Sequence, residues 1–289
     1  MAKKKDSARL ADFQFAGAHA ARAAGGKAEP RTAFDLARFD PGAKPFSSSD
    51  KAADKAAVET LAAELDKLQD LFYADRRFKL LVVLQGTDTS GKDGTIRGVF
   101  GEMSALGVRT AAWKAPTPQE QAHDFLWRIH QKVPGAGEVM LFNRSHYEDV
   151  LVPVVKGWIT KDETARRYAA INDFERILVE SGTVVLKFFL HISKDEQRLR
   201  LQDRLDDPTK RWKFAVGDLA DREQWDAFQA AYGAAIMATG TAWAPWTVVP
   251  ADSKTHRNLM IAKAVKEAFV RLKLRYPPGD PALAGIKVT

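Results

Sequence analysis

Short apolar runs alternate with stretches of helical periodicity along most of the chain. The run KLLVVLQ, residues 79–85, has an apolar centre with adjacent valines, which is typical of a strand buried on both faces of a sheet. Similar runs predict four further strands, at residues 108–113, 139–142, 183–190 and 246–249. Because helical patterns separate these runs, we predict an α/β fold with a five-stranded parallel sheet between two layers of helices.

Hydrophobic residues that recur every three or four positions predict the helices of this fold. Ser49 or Asp50 is a suitable N-cap for the first helix, which is expected to end near Ala74. The other helices are predicted at residues 95–103, 118–132, 162–180, 195–205, 222–238 and 255–274. Ligands of open parallel sheets bind beyond the carboxyl ends of the strands, so we expect the functional residues in the loops that follow the strands.

Residues 1–50 show neither kind of periodicity. They begin with MAKKKDSARL, continue through an Ala- and Gly-rich stretch and end with PGAKPFSSSD. We therefore expect residues 1–50 to form a flexible N-terminal extension and residues 51–289 to form a single domain. Asp6, Asp12 and the lack of an apolar signal core argue against a targeting peptide, so we expect a cytoplasmic location.

The composition narrows the classes of protein further. The 289 residues include 44 Lys and Arg, 37 Asp and Glu and no Cys, which gives a net charge of +7. Without Cys, neither a disulfide framework nor a Cys-ligated metal site can form. The longest aliphatic run, residues 80–84, is too short to span a membrane. The positive balance indicates an anionic partner, but it does not distinguish nucleic acid, phosphate compounds and membrane surfaces.

A glycine-rich loop with a lysine directly follows the first predicted strand. The segment GTDTSGKDGT, residues 86–95, matches most of the Walker A pattern and lies between a strand and a helix, as that pattern requires. Its backbone N–H groups and the helix N-terminus can bind phosphate, and Lys92 adds a full positive charge. The other residues of this loop that we predict to bind phosphate or nucleotide are Gly86, Thr87, Thr89, Ser90, Gly91, Asp93, Gly94 and Thr95.

One position of this loop departs from the Walker A pattern. Asp93 stands where a Ser or Thr hydroxyl normally holds magnesium, so Thr95 or a carboxylate must take that role. Asp88, inside the loop, is the candidate magnesium ligand and catalytic carboxylate, because an unpaired carboxylate beside phosphates would be repelled. The alternative is that Asp88 only braces the loop through hydrogen bonds to backbone N–H groups.

A second polar cluster follows the third predicted strand. Asn143 stands at the strand end, where a Walker B site would have Asp, and Arg144 comes next. An arginine there faces the phosphate loop and can form two hydrogen bonds to one phosphate. We therefore predict phosphate binding by Asn143 and a catalytic role for Arg144. The alternative for Arg144 is a salt bridge to Glu148 or Asp149.

Four segments of the chain resemble one known family. They are QGTDTSGKDGTIR (85–97), FNRSHYEDVL (142–151), FFLHISKDEQRLRLQDRLDDPTKRWKF (188–214) and APWTVVPADSKTHRN (244–258). Together they resemble the polyphosphate kinase 2 family over roughly residues 39–276. GKDGT followed by FNRSHYEDVL is similar to the subgroup that accepts both nucleoside mono- and diphosphates.

The resemblance implies a P-loop kinase fold similar to thymidylate kinase, a three-layer α/β/α domain with a helical lid at about residues 206–222. It implies phosphoryl transfer between inorganic polyphosphate and nucleotides, with Mg²⁺ as the cofactor and Mn²⁺ as its substitute. It also implies assembly into a homo-oligomer, a dimer or tetramer. We expect neither a nucleic acid nor a membrane as a partner, because no RNA- or DNA-binding signature accompanies the basic residues.

Basic residues concentrate between Lys187 and Lys213, where eight cations are interspersed with five acidic residues. By resemblance this region includes the lid, whose closure would bring cations to the transferred phosphoryl group. We predict a catalytic role for Arg204. Further phosphate or nucleotide ligands are predicted at Lys210, Arg211, Lys213, Arg97 and Arg128, the last of these along a polyanion channel. His146 is expected to be structural, since the histidines show no metal-binding spacing.

Three functions fit these observations. The leading hypothesis is magnesium-dependent phosphoryl transfer from polyphosphate to AMP or ADP, with GMP and GDP as further acceptors. The first alternative is an ATP-dependent nucleoside monophosphate kinase on the same fold. The second is a polyanion-binding protein without catalytic activity.

Overall fold

Six strands form one mixed sheet in the computed structural model, which describes residues 8–16 and 34–288. The strands are β1 (Gln14–Phe15), β2 (Lys79–Gln85), β3 (Val108–Ala112), β4 (Val139–Asn143), β5 (Thr183–His191) and β6 (Trp246–Pro250). Their order across the sheet is β1-β6-β5-β2-β4-β3. Strands β2 to β6 are parallel, and β1 pairs antiparallel with β6. The α/β class is confirmed, whereas the predicted five-stranded, wholly parallel sheet is wrong, because two residues are too few for β1 to show a periodic pattern.

Ten helices accompany the sheet within the described residues. They are α1 (Lys51–Asp75), α2 (Lys92–Phe100), α3 (Pro118–Gln121), α4 (Trp127–His130), α5 (Glu148–Val155), α6 (Lys161–Glu180), α7 (Lys194–Asp206), α8 (Gly217–Glu223), α9 (Trp225–Thr239) and α10 (Lys254–Arg271). No helix within residues 8–16 and 34–288 combines the length and the apolar character that a membrane span requires.

The predicted helix 118–132 is divided into two short helices, α3 and α4. The break lies near Asp124, whose carboxylate accepts a hydrogen bond from the backbone N–H of Leu126 at 2.9 Å. Such a side-chain bond competes with the helical hydrogen bonds of the same segment. Periodicity also failed to predict α5 and α8, which have only eight and seven residues.

Helices cover both faces of the sheet, and alternate residues of each central strand pack against opposite layers. Leu81 and Val83 of β2 belong to a core with buried residues of α5, α6 and α9. Leu80, Val82 and Leu84 belong to a second core with α1, α2 and α10. Because β2 is buried on both sides, its sequence is apolar without alternation, which explains why the pattern identified it.

The central position of β2 aligns two loops at one edge of the sheet. Leu84 of β2 lies in register with Asn143 of β4 on one side and with Phe188 of β5 on the other. The residues that follow β2 and β4, Gly86 and Arg144, therefore emerge at the same edge. This is the carboxyl edge at which parallel sheets bind ligands.

The predicted N-terminal extension, residues 1–50, falls partly on residues 1–7 and 17–33, which lie outside the described residues. Of its described parts, Phe15 and Leu36 are buried in the core that also holds α6 and α9. The ring of Phe34 lies 4.8 Å from that of Phe15 and 5.6 Å from that of Phe39, measured between centroids. These stretches therefore pack against the rest of the domain, and the expectation of a flexible extension over residues 1–50 as a whole stays a prediction.

A buried ionic network lies beneath the loop that follows β4. Lys187 Nζ donates to Glu175 Oε2 at 2.6 Å, to the Tyr147 hydroxyl at 3.1 Å and to the Thr239 carbonyl at 2.7 Å. The Tyr147 hydroxyl donates to Glu175 Oε1 at 2.8 Å, and His146 Nε2 lies 3.3 Å from the same oxygen. Burial opposes ionisation of Glu175, but Lys187 and His146 outweigh it and hold the pKa of Glu175 below its ordinary value. The network confirms the structural role predicted for His146.

We predict that Lys187→Met destabilises the protein by about 3–5 kcal/mol, because it leaves the Glu175 carboxylate buried without its partner. Urea unfolding at neutral pH measures this loss. The double variant Glu175→Gln/Lys187→Met removes both charges and is expected to recover much of the stability. An equal loss in the single and double variants would contradict the assignment of the cost to the uncompensated charge.

Candidate active site

The backbone of the phosphate loop takes conformations that its glycines permit. Gly86 has φ 150° and Gly91 has φ 104°, both in the region that side chains rarely adopt. A Cβ atom on Gly86 would lie 2.7 Å from the Leu190 carbonyl oxygen and 2.7 Å from Ser90 Oγ, so only glycine fits. Helix α2 begins at Lys92, immediately after Gly91 and three residues before the predicted start at residue 95. The N–H groups of the first turn of a helix have no partner within the helix, so this end can bind an anion.

Lys92 lies within this loop. Its Nζ donates to the Gly86 carbonyl at 2.7 Å and to the Thr87 carbonyl at 3.2 Å, and the side chain is buried. Burial, followed by repulsion from Arg144, lowers the pKa of Lys92 to about 8. The ligand-free loop therefore holds a cation whose charge an incoming anion would stabilise.

Arg144 connects the loop after β4 with the phosphate loop. Its Nη2 donates to Asp88 Oδ1 at 2.6 Å, and its Nη1 donates to Glu148 Oε2 at 3.3 Å. Burial opposes the charge, but Glu148 and Asp88 outweigh it and raise the pKa of Arg144. The structure thus contains the predicted salt bridge to Glu148 and also places Arg144 against the phosphate loop, so the two interpretations of this residue are compatible.

Glu148 is a site residue that the sequence analysis considered only as a salt-bridge partner. It lies at the first position of α5 and lines the same cavity as Arg144, Gly86 and Asp88. Burial raises the pKa of Glu148, although Arg144 and Lys92 oppose that effect. Glu148 directly follows the SHY segment of FNRSHYEDVL (142–151), and that place in the sequence could have identified it.

Asp93 and Asn143 form a second contact between the two loops. Asn143 Nδ2 donates to Asp93 Oδ1 at 2.7 Å. Thr95 is fully buried, and its hydroxyl has no hydrogen-bond partner in the described part of the chain. Asp93 is 62% exposed, whereas Asp88 and Glu148 are 23% and 16% exposed and line the cavity beside the loop.

A cavity that is open to solvent lies beside the phosphate loop. Its polar side consists of Gly86, Thr87, Asp88, Arg144 and Glu148. The rest of its lining is largely apolar and aromatic and consists of Leu151, Val152, Trp225, Phe228 and Tyr232, together with Gln197 and Asp221. The sequence did not reveal this apolar wall, because its residues come from two separate helices, α5 and α9, and show only core-like periodicity.

The predicted lid cations do not line this cavity, and Arg204, Lys210 and Arg211 make their contacts within residues 203–218. Arg204 Nη1 donates to the Lys213 carbonyl at 3.0 Å, and Arg211 Nε donates to the Leu205 carbonyl at 2.8 Å. Lys210 lies 3.1 Å from Asp203 and 2.9 Å from Asp207. Lys213 comes nearest to the phosphate loop, with its Nζ 3.9 Å from Asp93 Oδ2.

Arg97 and Arg128 are the two remaining predicted ligands, and neither lines the cavity. Arg97 is exposed on α2. Arg128 is only 6% exposed, and it donates to the Lys114 carbonyl at 2.9 Å and to Asp149 Oδ2 at 3.1 Å. Arg128 therefore does not line a channel. Its buried side chain links α4 to α5, because Asp149 of α5 faces α4 and supplies the counter-charge.

We predict that the affinity for inorganic tripolyphosphate falls as the pH rises through about 8, by at most about tenfold per pH unit. Above that pH the ligand-free Lys92 loses its proton, so binding of an anion must take the proton up again. Calorimetric titration at pH values of about 7 and 9, in buffers of different ionisation enthalpy, measures this uptake.

The control is Lys92→Met, which removes the titrating group from the same loop. The ligand itself titrates in this range, so the informative quantity is the difference in proton uptake between the wild type and this variant. Identical uptake by both proteins would show that Lys92 is not the group involved.

Comparison with known proteins agrees with this site. The family model described as "Polyphosphate kinase 2 (PPK2)" matches residues 48–275. An "AMP/ADP-polyphosphate phosphotransferase" from Meiothermus ruber is 50% identical over 256 residues, which are 89% of this chain and 96% of that protein. An "ADP-polyphosphate phosphotransferase" from Rhodopseudomonas palustris is 37% identical over 260 residues, which are 86% of this chain and 90% of that protein.

A solved structure shares the fold. The crystal structure of polyphosphate kinase 2 from Arthrobacter aurescens TC1 superposes with a TM-score of 0.86 at 42% identity, and the match covers 97% of this chain and 95% of that one. Sequence, family model and fold therefore lead to one assignment, and the predicted resemblance is confirmed. The chain belongs to the polyphosphate kinase 2 family.

Proposed function

We propose that this protein transfers phosphoryl groups between inorganic polyphosphate and nucleotides, with AMP and ADP as acceptors and GMP and GDP as further ones. The observation that carries the proposal is the cavity beside the phosphate loop, which is lined by both polar and apolar residues. Its polar side suits phosphates, and its apolar, aromatic side suits a nucleoside. The names of the relatives from Meiothermus ruber and Rhodopseudomonas palustris, which specify AMP or ADP and polyphosphate, support the same substrates.

The fold of this enzyme is proposed to be that of a P-loop kinase similar to thymidylate kinase. The strand–loop–helix arrangement of β2, residues 86–91 and α2 supports this assignment. In the proposed mechanism the loop N–H groups bind phosphate, Lys92 neutralises it, and Arg144 stabilises charge on the transferred phosphoryl group. No covalent intermediate on the protein is needed, because positioning and charge stabilisation suffice for this reaction.

Magnesium is proposed as the cofactor, with Mn²⁺ as its substitute. Within residues 8–16 and 34–288, no group of three or more His, Asp or Glu side chains is arranged to hold a metal ion. The site fits magnesium nevertheless, since this ion commonly takes one or two carboxylates and completes its shell with substrate phosphates and water. Asp88 and Glu148 would hold the ion, which would neutralise charge on the phosphates when bound.

The segment of residues 206–222 is proposed to act as the lid. Lys210 pairs with Asp203 of α7 and with Asp207, Lys213 lies 3.9 Å from Asp93 of α2, and exposed ion pairs of this kind are weak. Closure would therefore lose little free energy from broken ion pairs. It would bring Arg204, Lys210, Arg211 and Lys213 toward the phosphate chain. Assembly into a dimer or tetramer stays a prediction of the family resemblance.

We predict that ADP and magnesium yield ATP only when polyphosphate is added. Lys92→Met is expected to lower kcat by roughly 10²–10³-fold, because it removes a charge from the phosphate site. The exposed Lys263→Met serves as a matched control with the same change in charge. Parallel assays with AMP, ADP, GMP and GDP against one polyphosphate preparation measure both effects.

Two results of these assays would contradict the proposal. Phosphorylation of AMP by ATP without any use of polyphosphate would favour an ATP-dependent nucleoside monophosphate kinase. Binding of polyphosphate that persists in Lys92→Met, weakens steeply with salt and shows no turnover would favour a polyanion-binding protein.

We predict that EDTA abolishes activity and that Mg²⁺ or Mn²⁺ restores it. Asp88→Asn is expected to raise the Mg²⁺ concentration for half-maximal activity by about tenfold, because one carboxylate ligand is lost. The exposed Asp70→Asn on α1 is the matched control. Full activity in EDTA would exclude the cofactor, and an unchanged Mg²⁺ requirement in Asp88→Asn would exclude Asp88 as its ligand.

A further inference from the structure

Buried cations fall into two groups in the described part of the chain. The buried Lys and Arg side chains there are Lys92, Arg128, Lys187, Arg200 and Arg257. Three of them have a carboxylate partner: Arg128 pairs with Asp149, Lys187 with Glu175 and Arg200 with Glu196. Within residues 8–16 and 34–288, Lys92 and Arg257 have none. Both of these unpaired cations contact the same phosphate loop.

Arg257 reaches the loop from the side of α10. It lies in the first turns of that helix and is 2% exposed. Its Nη1 donates to the Ser90 carbonyl at 3.3 Å, and its Nε and Nη2 donate to Asn258 Oδ1 at 3.1 and 3.0 Å. These neutral acceptors satisfy hydrogen bonds of the guanidinium, but they leave its charge uncompensated.

The guanidinium also packs against the point at which α2 begins. A Cβ atom on Gly91 would collide with Arg257 Nη1, and one on Gly94 would lie 3.1 Å from Nη2. Arg257 therefore occupies the space beside Gly91 and Gly94 and limits how that backbone can move. The start of a helix already carries the positive end of its dipole, so the guanidinium adds like charge to a positive region.

Arg200 strengthens this concentration of charge. It donates to the carbonyls of Thr89 and Ser90 on the loop and to those of Ala251 and Asp252 after β6. Burial, followed by repulsion from Arg200, lowers the pKa of Arg257 to about 9. Arg257 thus remains charged at neutral pH, in a place where a charge without a counter-ion is unfavourable.

We propose that Arg257 is a positioning residue for phosphate binding. It holds the loop backbone from the side of α10, and it supplies a buried positive charge that only a bound phosphate chain compensates. The inference rests on the proposed function, which places phosphate on residues 86–95. The charge of Arg257 therefore has opposite effects on stability and on affinity. The charge of Arg257 lowers the stability of the ligand-free protein and raises its affinity for phosphate.

A matched pair of variants separates the charge of Arg257 from its packing. Arg257→Gln removes the charge and keeps a donor for Ser90 or Asn258, whereas Arg257→Lys keeps the charge and loses the planar fork. Arg271→Met, on the exposed last turn of the same helix, is the control for a general change in net charge. The probe is inorganic tripolyphosphate, with affinity measured by calorimetry and melting temperature measured with and without the probe.

Affinity is expected to follow charge and not shape. Arg257→Gln should bind tripolyphosphate about tenfold or more weakly, as for loss of a unit charge near the ligand in a medium of low dielectric constant. Arg257→Lys should retain most of the affinity, and Arg271→Met should bind like the wild type. Without ligand, Arg257→Gln should melt at or above the wild-type temperature. In turnover assays, Arg257→Gln should raise the KM for polyphosphate more than it lowers kcat.

A purely structural arginine would give the opposite pattern. Arg257→Gln would then melt at a lower temperature and bind the probe with unchanged affinity, and that result would overturn the inference. Failure of both Arg257→Gln and Arg257→Lys to fold would overturn it as well, since the inference requires that removal of the charge does not destabilise the ligand-free protein.

The same titrations separate this inference from the proposed function. Lys92→Met must bind tripolyphosphate more weakly than the wild type if the loop is the phosphate site. Wild-type protein that does not bind the probe, or Lys92→Met that binds it fully, would overturn the loop site and the role of Arg257 together. Binding that depends on Lys92 but not on Arg257 would overturn the role of Arg257 alone.

Discussion

The site depends on an excess of positive charge held against one short loop of backbone. Lys92 lies within the phosphate loop, Arg144 contacts it from the cleft, and Arg200 and Arg257 contact it from α7 and α10. The carboxylates that contact these cations are Asp88, Glu148 and Glu196. Because cations outnumber carboxylates and the helix dipole adds to them, the loop is electrostatically incomplete until an anion binds.

The position of β2 in the sheet makes this concentration of charge possible. Strand β2 is flanked by β4 and β5 in register, so the loop after β2 lies beside Arg144 on one side and near α7 on the other. The buried network of Glu175, Lys187 and Tyr147 then holds the residues between Arg144 and Glu148 from below. The replacement of this network by apolar residues would remove the anchor of that loop, which gives a reason for a costly buried ion pair in the core.

Sequence reasoning identified those features whose physical basis is local. The phosphate loop, Lys92 and Arg144 were predicted because their spacing and their position after apolar runs are visible in the chain. The strand β1 and the aromatic wall with Trp225 depend on contacts between distant segments, so no local pattern shows them. Arg128 was predicted on the cleft, but Asp149 holds it in a buried pair, which spacing alone cannot reveal.

The excess of positive charge at the loop implies that bound phosphate replaces Asp88 and Glu148 as the partner of Arg144. The most direct measurement is a crystal structure of the protein with ADP and a non-hydrolysable polyphosphate analogue bound. The account predicts phosphate on the loop N–H groups, a nucleoside against the wall that includes Trp225 and Phe228, and an Arg144 guanidinium that donates to phosphate oxygens. Phosphates bound outside this cavity, with the contacts of Arg144 to Asp88 and Glu148 unchanged, would contradict it.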